Sequence, residues 1–188
     1  NLGVGIYKDE NDHTPVFSSV KKAEELLVRN EKSKSYLPIP GDPAYCAAVQ
    51  GLVFGADHEI VKSGRAVTVH TPGGTAALRV AGDFVKHMFP KSRIWVSTPT
   101  WENHMGVFTA AGIEVKTYPY YDTERKCLAF EEMLKTLETV PPGDVVLLHA
   151  CCHNPTGMDP NPDQWQAIAD TLSRQGALPF FDFAYQGL

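Results

Sequence analysis

Short apolar runs alternate along this chain with segments whose apolar residues recur at helical spacing, and this alternation limits the fold more than any other feature. The apolar runs are bounded by turn residues and predict strands at 66–70, 93–97, 114–118, 145–150 and 178–181. Helical patterns occupy 16–30, 43–54, 75–88, 104–111, 130–139 and 162–175. We therefore expect the α/β class, with a mostly parallel sheet sandwiched by helices and apolar strands buried on both faces.

Composition and charge narrow the class of protein. The chain has 188 residues, of which 43% are hydrophobic and 21% charged, as is usual for a globular domain. Its 17 basic and 22 acidic side chains give a net charge of −5, which is not the basic footprint of a nucleic-acid-binding protein. The apolar runs are too short to span a bilayer. We expect neither a nucleic-acid partner nor a membrane.

The cysteines bear on the redox compartment and on metal binding. They are Cys46, Cys127, Cys151 and Cys152, without the spacing of a secreted disulfide framework. We therefore expect a reducing, cytoplasmic compartment. Two histidines, His149 and His153, flank the adjacent pair, and such a cluster can indicate a metal. Because successive side chains of a strand point to opposite faces, we favour buried thiols and no metal site.

Polar segments follow four of the predicted strands. They occupy residues 71–75, 98–101, 152–157 and 182–185. Ligands of open parallel sheets bind at the carboxyl ends of the strands. We therefore expect these four segments to converge on one crevice.

The segment Thr71-Pro72-Gly73-Gly74-Thr75 leads into a predicted helix. Its glycines let a backbone approach an anion, the helix start supplies unpaired amides, and Thr75 adds a hydroxyl. The alternative is a tight turn with Thr75 as the helix cap. The segment has neither the glycine spacing of a dinucleotide-binding turn nor the ending of a P-loop.

Trp101 and His104 lie just after a predicted strand. The indole of Trp101 is placed where it can stack on an aromatic ligand, although a lone tryptophan is more often a core residue. His104 either fills a core position or hydrogen-bonds a buried carboxylate and supports its charge.

Asp182, Asn154 and Tyr185 suit an electron-poor aromatic ring, because a carboxylate holds a ring nitrogen protonated while an amide and a phenol bind a ring oxygen. Asp182 stands among phenylalanines, with no lysine or arginine nearby in sequence, so its partner must be remote or a ligand. The segment Asn154-Pro155-Thr156-Gly157 also has a simpler interpretation as a turn.

These motifs resemble the aspartate/aromatic aminotransferase family, which are pyridoxal-phosphate enzymes of fold type I. The resemblance covers essentially the whole chain, in order and in spacing. It rests on residues 1–7, 36–38, 72–75, 99–104, 149–157 and 181–187. It implies the large pyridoxal-phosphate-binding domain of that fold, incomplete at residues 15–188, preceded by a stub of the small domain or its linker at 1–14.

The resemblance also implies a role for each site residue. Phosphate binding falls to Gly74 and Thr75, with Gly73 where some members have serine, and Trp101 stacks on the ring. Ring polar contacts fall to Asp182 at the nitrogen and to Asn154 and Tyr185 at the 3-oxygen, with His104 behind Asp182. Gly5, Trp101 and Asn154 contact substrate, and Tyr36 reaches the phosphate of the neighbouring subunit. A homodimer with shared sites is implied. The family further implies cis peptide bonds at Thr98-Pro99 and Asn154-Pro155.

The implied function is transamination between an amino acid, with aspartate favoured over an aromatic one, and a 2-oxo acid such as 2-oxoglutarate. The family's Schiff-base lysine lies in a Ser-x-Ser-Lys segment downstream of the position of Tyr185, and no lysine here has that context. We therefore expect these residues to be the N-terminal part of a longer enzyme. The alternatives are a decarboxylase or lyase using the same cofactor, and a noncatalytic ligand-binding module.

Overall fold

The computed structural model describes residues 6–187. The chain divides into two compact units, one ending at His70 and the other beginning at Thr71. The predicted division after residue 14 stays a prediction.

From residue 6 onward, the first unit contains three helices. They are α1 (Ser18–Asn30), α2 (Pro43–Phe54) and α3 (Glu59–Lys62), the last of which was not predicted. Helix α2 begins where it does because the Asp42 carboxylate accepts hydrogen bonds from the amides of Ala44 and Tyr45, with Pro43 in the first turn.

The loop before α2 is held to the end of the first unit. The amide of His70 donates to the carbonyl of Pro40 at 2.8 Å, and the Tyr45 ring stacks on the His70 ring with centroids 4.1 Å apart. Gly41 has φ of 98°, and a Cβ there would lie 2.1 Å from the Cβ of His70. Only glycine fits this approach without moving the backbone.

The strand predicted at 66–70 is wrong. These residues are not assigned to a strand, and Val67 is 88% exposed. The amide group of Gln50 donates to the carbonyl of Ala66 and to the hydroxyl of Thr68, while His70 bonds to the loop before α2. Apolar content predicted a strand, but a strand also needs a hydrogen-bonded neighbour, and none of the described residues supplies one.

The second unit alternates strands and helices. Its elements are α4 (Gly74–Met88), β1 (Ile94–Thr98), α5 (Glu102–Ala110), β2 (Val115–Pro119), β3 (Tyr121–Asp122), β4 (Cys127–Leu128), α6 (Phe130–Leu137), β5 (Val145–His149), α7 (Pro162–Gln175) and β6 (Leu178–Asp182). Four strands form a parallel sheet in the order β2-β1-β5-β6, while β3 and β4 form an antiparallel pair that was not predicted.

Helices cover both faces of the sheet. On one face, Met133 of α6 and Ile168 of α7 pack against Val146 and Leu148 of β5. On the other face, helices α4 and α5 pack against Val145 and Leu147 of the same strand. Successive side chains of β5 therefore enter opposite cores, as the pleat of a strand requires. The predicted class, a parallel sheet sandwiched by helices, is confirmed.

Burial on both faces was predicted for all the apolar strands, and it is wrong for β6. Strand β5 is buried throughout, whereas Leu178 and Phe181 of β6 are exposed. Among the described residues β6 has a neighbour on one side only, which is β5. An apolar sequence indicates the surroundings that a strand prefers, not its position in the sheet.

Between residues 6 and 187, none of the helices combines the length and the apolar character that a crossing of a bilayer requires.

Two glycines in neighbouring helices provide a matched test of the packing between α4 and α5. At Gly82 an added Cβ would lie 3.1 Å from the Cβ of Ala111 and 3.3 Å from the Phe108 ring, while at Gly106 nothing lies within 4 Å. Gly106→Ala should stabilise the protein by roughly 0.5–1 kcal/mol through helix propensity. Gly82→Ala should lose that gain to overpacking and unfold at a lower urea concentration than Gly106→Ala. Equal midpoints for the two variants would contradict the close packing.

Candidate functional site

The site forms at the carboxyl edge of the parallel sheet. Strands β1, β5 and β6 are adjacent and parallel, so their carboxyl ends lie at one edge. The loops that follow them carry Thr100, Trp101, Asn154 and Tyr185, and β6 itself ends at Asp182. Three of the four predicted polar segments therefore meet, as ligand sites of parallel sheets require.

The fourth segment opens α4 instead of following a sheet strand. Leu78 and Val85 of α4 both pack in the cluster that contains Ile94 and Val96 of β1, so the helix lies along the sheet. A short connection joins the end of α4 to the start of β1, which places the helix end at the amino edge. The start of α4 therefore points toward the carboxyl edge and the three loops.

The first turn of α4 is suited to an anion. Its N-cap is Gly73, with φ of 84° and no side-chain cap, so the alternative in which Thr75 caps the helix is wrong. Gly73, Gly74 and Thr75 are exposed, and nothing lies within 4 Å of a Cβ built at either glycine. Uncapped amides at an open helix start are available to bind a phosphate.

Asp182 and His104 form the centre of the site. His104 is fully buried, and its Nε2 lies 2.9 Å from Oδ2 of Asp182. The amide of Ala184 donates to the other carboxylate oxygen at 3.1 Å. The Asp182 side chain keeps 19% of its surface exposed, so its carboxylate can accept a further hydrogen bond from a ligand. Its partner in the protein is thus a remote histidine, not a lysine or an arginine.

A chain of hydrogen bonds behind His104 assigns its tautomer. The amide of Asn154 donates to Nδ1 of His149 at 3.3 Å, so this nitrogen carries no proton and the proton of the neutral ring is on Nε2. Nε2 of His149 therefore donates to the Thr100 hydroxyl at 3.0 Å. That hydroxyl in turn donates to Nδ1 of His104 at 2.8 Å. His104 is left with its proton on Nε2, which donates to Asp182.

The charges follow from these contacts. The hydrogen bond from His104 lowers the pKa of Asp182 below its ordinary value, against the opposing effect of burial. Burial, followed by the neighbouring His104, lowers the pKa of His149 to about 4. Burial also lowers the pKa of His153 to about 3. At neutral pH an anionic Asp182 therefore contacts His104, and the more distant His149 and His153 are neutral.

Asn154 and Tyr185 face each other across two loops. Nδ2 of Asn154 donates to the Tyr185 hydroxyl at 3.3 Å, and both side chains are half-buried. The phenol proton stays available because the hydroxyl oxygen is the acceptor in this bond. The pair can therefore donate to an oxygen placed between them.

Trp101 lies at the N-terminal cap of α5 and is half-buried. Its ring meets the His104 ring edge-on, with centroids 5.4 Å apart and planes at 88°. It also packs on the core cluster of α4 and α5. Trp101 is thus both a core residue and a neighbour of the site, as the two interpretations of its sequence allowed.

Both predicted cis peptide bonds are confirmed. Thr98-Pro99 and Asn154-Pro155 are cis, in the loops that carry Trp101 and Asn154.

The cysteine pair does not lie in a strand, as the expectation of opposite-facing thiols assumed. Strand β5 ends at His149, so Cys151 and Cys152 lie in a bend where the alternation of a strand does not apply, and Cys152 has φ of 49°. Over residues 6–187, histidine, cysteine and acidic side chains do not gather in a group of three or more that could hold a metal ion.

Several polar residues of the site were not identified from the sequence in these roles. Thr100 was only part of a loop, and His149 and His153 were considered as metal ligands alone. The available signal was their position, because polar side chains directly after a buried strand must find hydrogen-bond partners. His149 is the last residue of β5 and stands opposite Asp182 in the register of β5 and β6.

Comparison with known proteins decides the family. The family described as aminotransferase class I and II matches residues 1–188. Aspartate aminotransferase of Salmonella typhi is 52% identical over all of this chain, and the aromatic-amino-acid aminotransferase of Escherichia coli K12 is 46% identical. The chain belongs to the class I and II aminotransferases. It spans about half the length of these curated relatives, 47% of each.

Solved aminotransferase structures share the fold. The crystal structure of the aromatic-amino-acid aminotransferase from Burkholderia pseudomallei, covalently bound to pyridoxal phosphate, superposes with a TM-score of 0.95 at 44% identity. It covers 99% of this chain, which covers 47% of that structure. The sheet and helices of the second unit are therefore part of an aminotransferase fold.

Two further site residues, Tyr36 and Gly5, were predicted for this aminotransferase chain. Tyr36 belongs to the first unit and is fully exposed, in a loop where Ile39 is also fully exposed. Gly5 lies outside the described residues. The contacts predicted for these two residues stay predictions.

The buried histidines predict loss of stability in mild acid. Because burial holds the pKa of His153 and His149 below the ordinary value of 6.5, the unfolded chain binds protons first as the pH falls. The free energy of unfolding therefore keeps its full value above pH 6.5 and falls as the pH drops toward 4. By about pH 5 each histidine should have lowered it by on the order of 1–2 kcal/mol. Urea unfolding at about pH 7.5 and 5 measures the loss.

The matched variants are His153→Gln and His87→Gln, the second of which alters an exposed residue of α4. His153→Gln should reduce the difference in stability between the two pH values, whereas His87→Gln should keep it. An unchanged difference in His153→Gln would contradict the assignment of a buried neutral imidazole.

Proposed function

We propose that the full-length protein is a pyridoxal-phosphate-dependent aminotransferase that exchanges an amino group between an amino acid, with aspartate favoured, and a 2-oxo acid such as 2-oxoglutarate. The observation that carries this proposal is the anionic Asp182 at the end of β6, backed by a buried His104 and open on its other side. Family membership and the names of the relatives support the same reaction.

The residues present suit this cofactor. Asp182 would accept a hydrogen bond from a protonated ring nitrogen, and Asn154 and Tyr185 would donate to the ring oxygen. The amides of Gly74 and Thr75 would hold the phosphate at the start of α4, with Gly73 beside them. Trp101 would cover one face of the ring. A carboxylate for the ring nitrogen, two donors for the ring oxygen and a helix start for the phosphate would therefore serve one ligand at this sheet edge.

When bound, the cofactor supplies an electron-withdrawing ring that stabilises negative charge on the α-carbon of the substrate. Asp182 would keep the ring nitrogen protonated, because a nearby negative charge favours the protonated form. Asn154 and Tyr185 would hold the ring through its oxygen, and Trp101 would cover one of its faces. Proton transfer at the α-carbon would fall to the lysine that the family resemblance implies for the full-length protein, downstream of the position of Tyr185.

Substrate contacts and assembly extend the proposal. We assign contacts with the substrate to Gly5, Trp101 and Asn154, as the family resemblance implies. Two large side chains of one loop, Tyr36 and Ile39, are fully exposed, at 103% and 100%. A second copy of the chain would cover this loop and bring Tyr36 to the neighbouring phosphate. We therefore propose a homodimer with shared sites. We also propose a cytoplasmic location, because the cysteines lack the spacing of a secreted disulfide framework.

Two other functions remain outcomes of the test. A decarboxylase or lyase with the same cofactor is not favoured, because the relatives named above are aminotransferases. A noncatalytic binding module would bind cofactor without converting substrate.

The absorption spectrum of the full-length protein with pyridoxal phosphate tests the proposal directly. Adding aspartate should replace the visible band of the bound cofactor with the ultraviolet band of pyridoxamine phosphate and release one oxaloacetate per site. Adding 2-oxoglutarate should restore the first band. Release of carbon dioxide or ammonia in place of an oxo acid would indicate a decarboxylase or lyase, and an unchanged spectrum would indicate a binding module.

Replacing Asp182 tests the residue on which the proposal depends. Asp182→Ala should lower turnover roughly 10²-fold or more, because the ring nitrogen loses the charge that keeps it protonated. Some cofactor should remain bound through its phosphate. The control is Asp170→Ala, in the exposed part of α7, which should keep the rate of the unaltered protein. Normal turnover in Asp182→Ala would rule out the proposed role.

A further inference from the structure

The carboxylate of Asp159 closes the loop that follows β5. Its Oδ2 accepts a hydrogen bond from the amide of Cys152 at 2.7 Å, and its Oδ1 accepts one from the amide of His153 at 2.9 Å. Cys152 adopts a positive φ of 49° in this bend. Charge-assisted bonds from one carboxylate to two consecutive amides define the path of the backbone just before Asn154.

His153 fixes the inside of the same loop. It is 1% exposed, and its Nε2 lies 2.9 Å from the Ser97 hydroxyl while its Nδ1 lies 2.8 Å from the Thr156 hydroxyl. The amide of Gly157 donates to the carbonyl of His153. Both ring nitrogens and the carbonyl of His153 are therefore engaged, and the loop is bonded to β1 as well as to itself.

Tyr120 holds the far end of the loop. Its hydroxyl donates to the carbonyl of Met158 at 2.6 Å, and its ring stacks on the ring of His153 with centroids 3.7 Å apart and planes at 11°. Met158 immediately precedes Asp159, so the phenol fixes the main chain next to the carboxylate.

Asn154 lies between these anchors and makes two contacts of the site. Its amide donates to His149 and begins the chain of hydrogen bonds that ends at Asp182, while its side chain donates to Tyr185. Asp159 makes neither of these contacts itself.

We infer that Asp159 is a positioning residue, which acts through the loop 151–159 to hold the side chain of Asn154 where the cofactor needs it. This inference rests on the proposed function, because it assumes that Asn154 contributes to binding of pyridoxal phosphate. The substitution Asp159→Asn keeps the shape of the side chain but replaces one accepting oxygen with an NH2 group. That donor would face the amide N–H of Cys152 or His153, and one hydrogen bond would be lost.

A double-mutant cycle on the affinity of the full-length protein for pyridoxal phosphate tests the inference. The variants are Asp159→Asn, Asn154→Ala and the combination of both, each titrated as apoprotein with pyridoxal phosphate. Each single substitution should weaken binding roughly tenfold or more. If Asp159 acts through Asn154, then Asp159→Asn should have little further effect when Asn154 is already alanine.

The control is Asp122→Asn. Asp122 also accepts hydrogen bonds from two backbone amides, those of Glu124 and Arg125, but it does so in the turn between β3 and β4. Asp122→Asn should leave the affinity for pyridoxal phosphate unchanged. The decrease in its midpoint of thermal unfolding measures how much stability is lost when a carboxylate that binds two turn amides is replaced. If Asp159→Asn fails to fold, Tyr120→Phe takes its place in the cycle, because it removes the bond to Met158 and keeps the ring.

The outcomes separate the inference from the function on which it rests. Normal affinity in Asn154→Ala would overturn the role of Asn154 and the inference with it. Weak binding in Asn154→Ala with normal binding in Asp159→Asn would overturn the inference alone. Independent effects that multiply in the combined variant would also overturn it, because Asp159 would then act by a route that does not include Asn154.

Discussion

The hydrogen bond between His104 and Asp182 joins the three strand ends on which the site is built. Asp182 ends β6, His104 lies in the helix after β1, and the imidazole is oriented through Thr100 by His149 at the end of β5. The first donor of these hydrogen bonds is the backbone amide of Asn154, which can only donate. This bond fixes which atom donates in each of the bonds that follow. A single main-chain group therefore sets the tautomers of two histidines and leaves Asp182 as a charged acceptor.

The fold provides this arrangement before any ligand binds. A parallel sheet brings the carboxyl ends of its strands to one edge, and here β5, buried on both faces, lies between β1 and β6. Helices packed on both faces hold those ends in position. A site that is already ordered needs little reorganisation when charge develops during a reaction. The loop after β5 extends the same order through its bonds to Asp159, His153 and Tyr120.

Much of the fold could be predicted from the sequence, because the periodicity of apolar residues reports which faces of an element are buried. The main helices and the four sheet strands follow this signal. The segment 66–70 and the exposed faces of β6 do not, because pairing and position in a sheet depend on residues distant in sequence. Asp182 and Asn154 were found through their motifs. Thr100, His149 and Asp159 were missed in these roles, because their importance comes from contacts made only after folding.

Neutron diffraction from crystals of the full-length protein at neutral pH would locate the protons of the hydrogen bonds that run from the Asn154 amide to Asp182. We expect deuterium on Nε2 of both His149 and His104 and on the Thr100 hydroxyl in the direction of His104. The carboxylate of Asp182 should carry none. Deuterium on Nδ1 of His149, or on an oxygen of Asp182, would contradict the claim that the Asn154 amide orders this site.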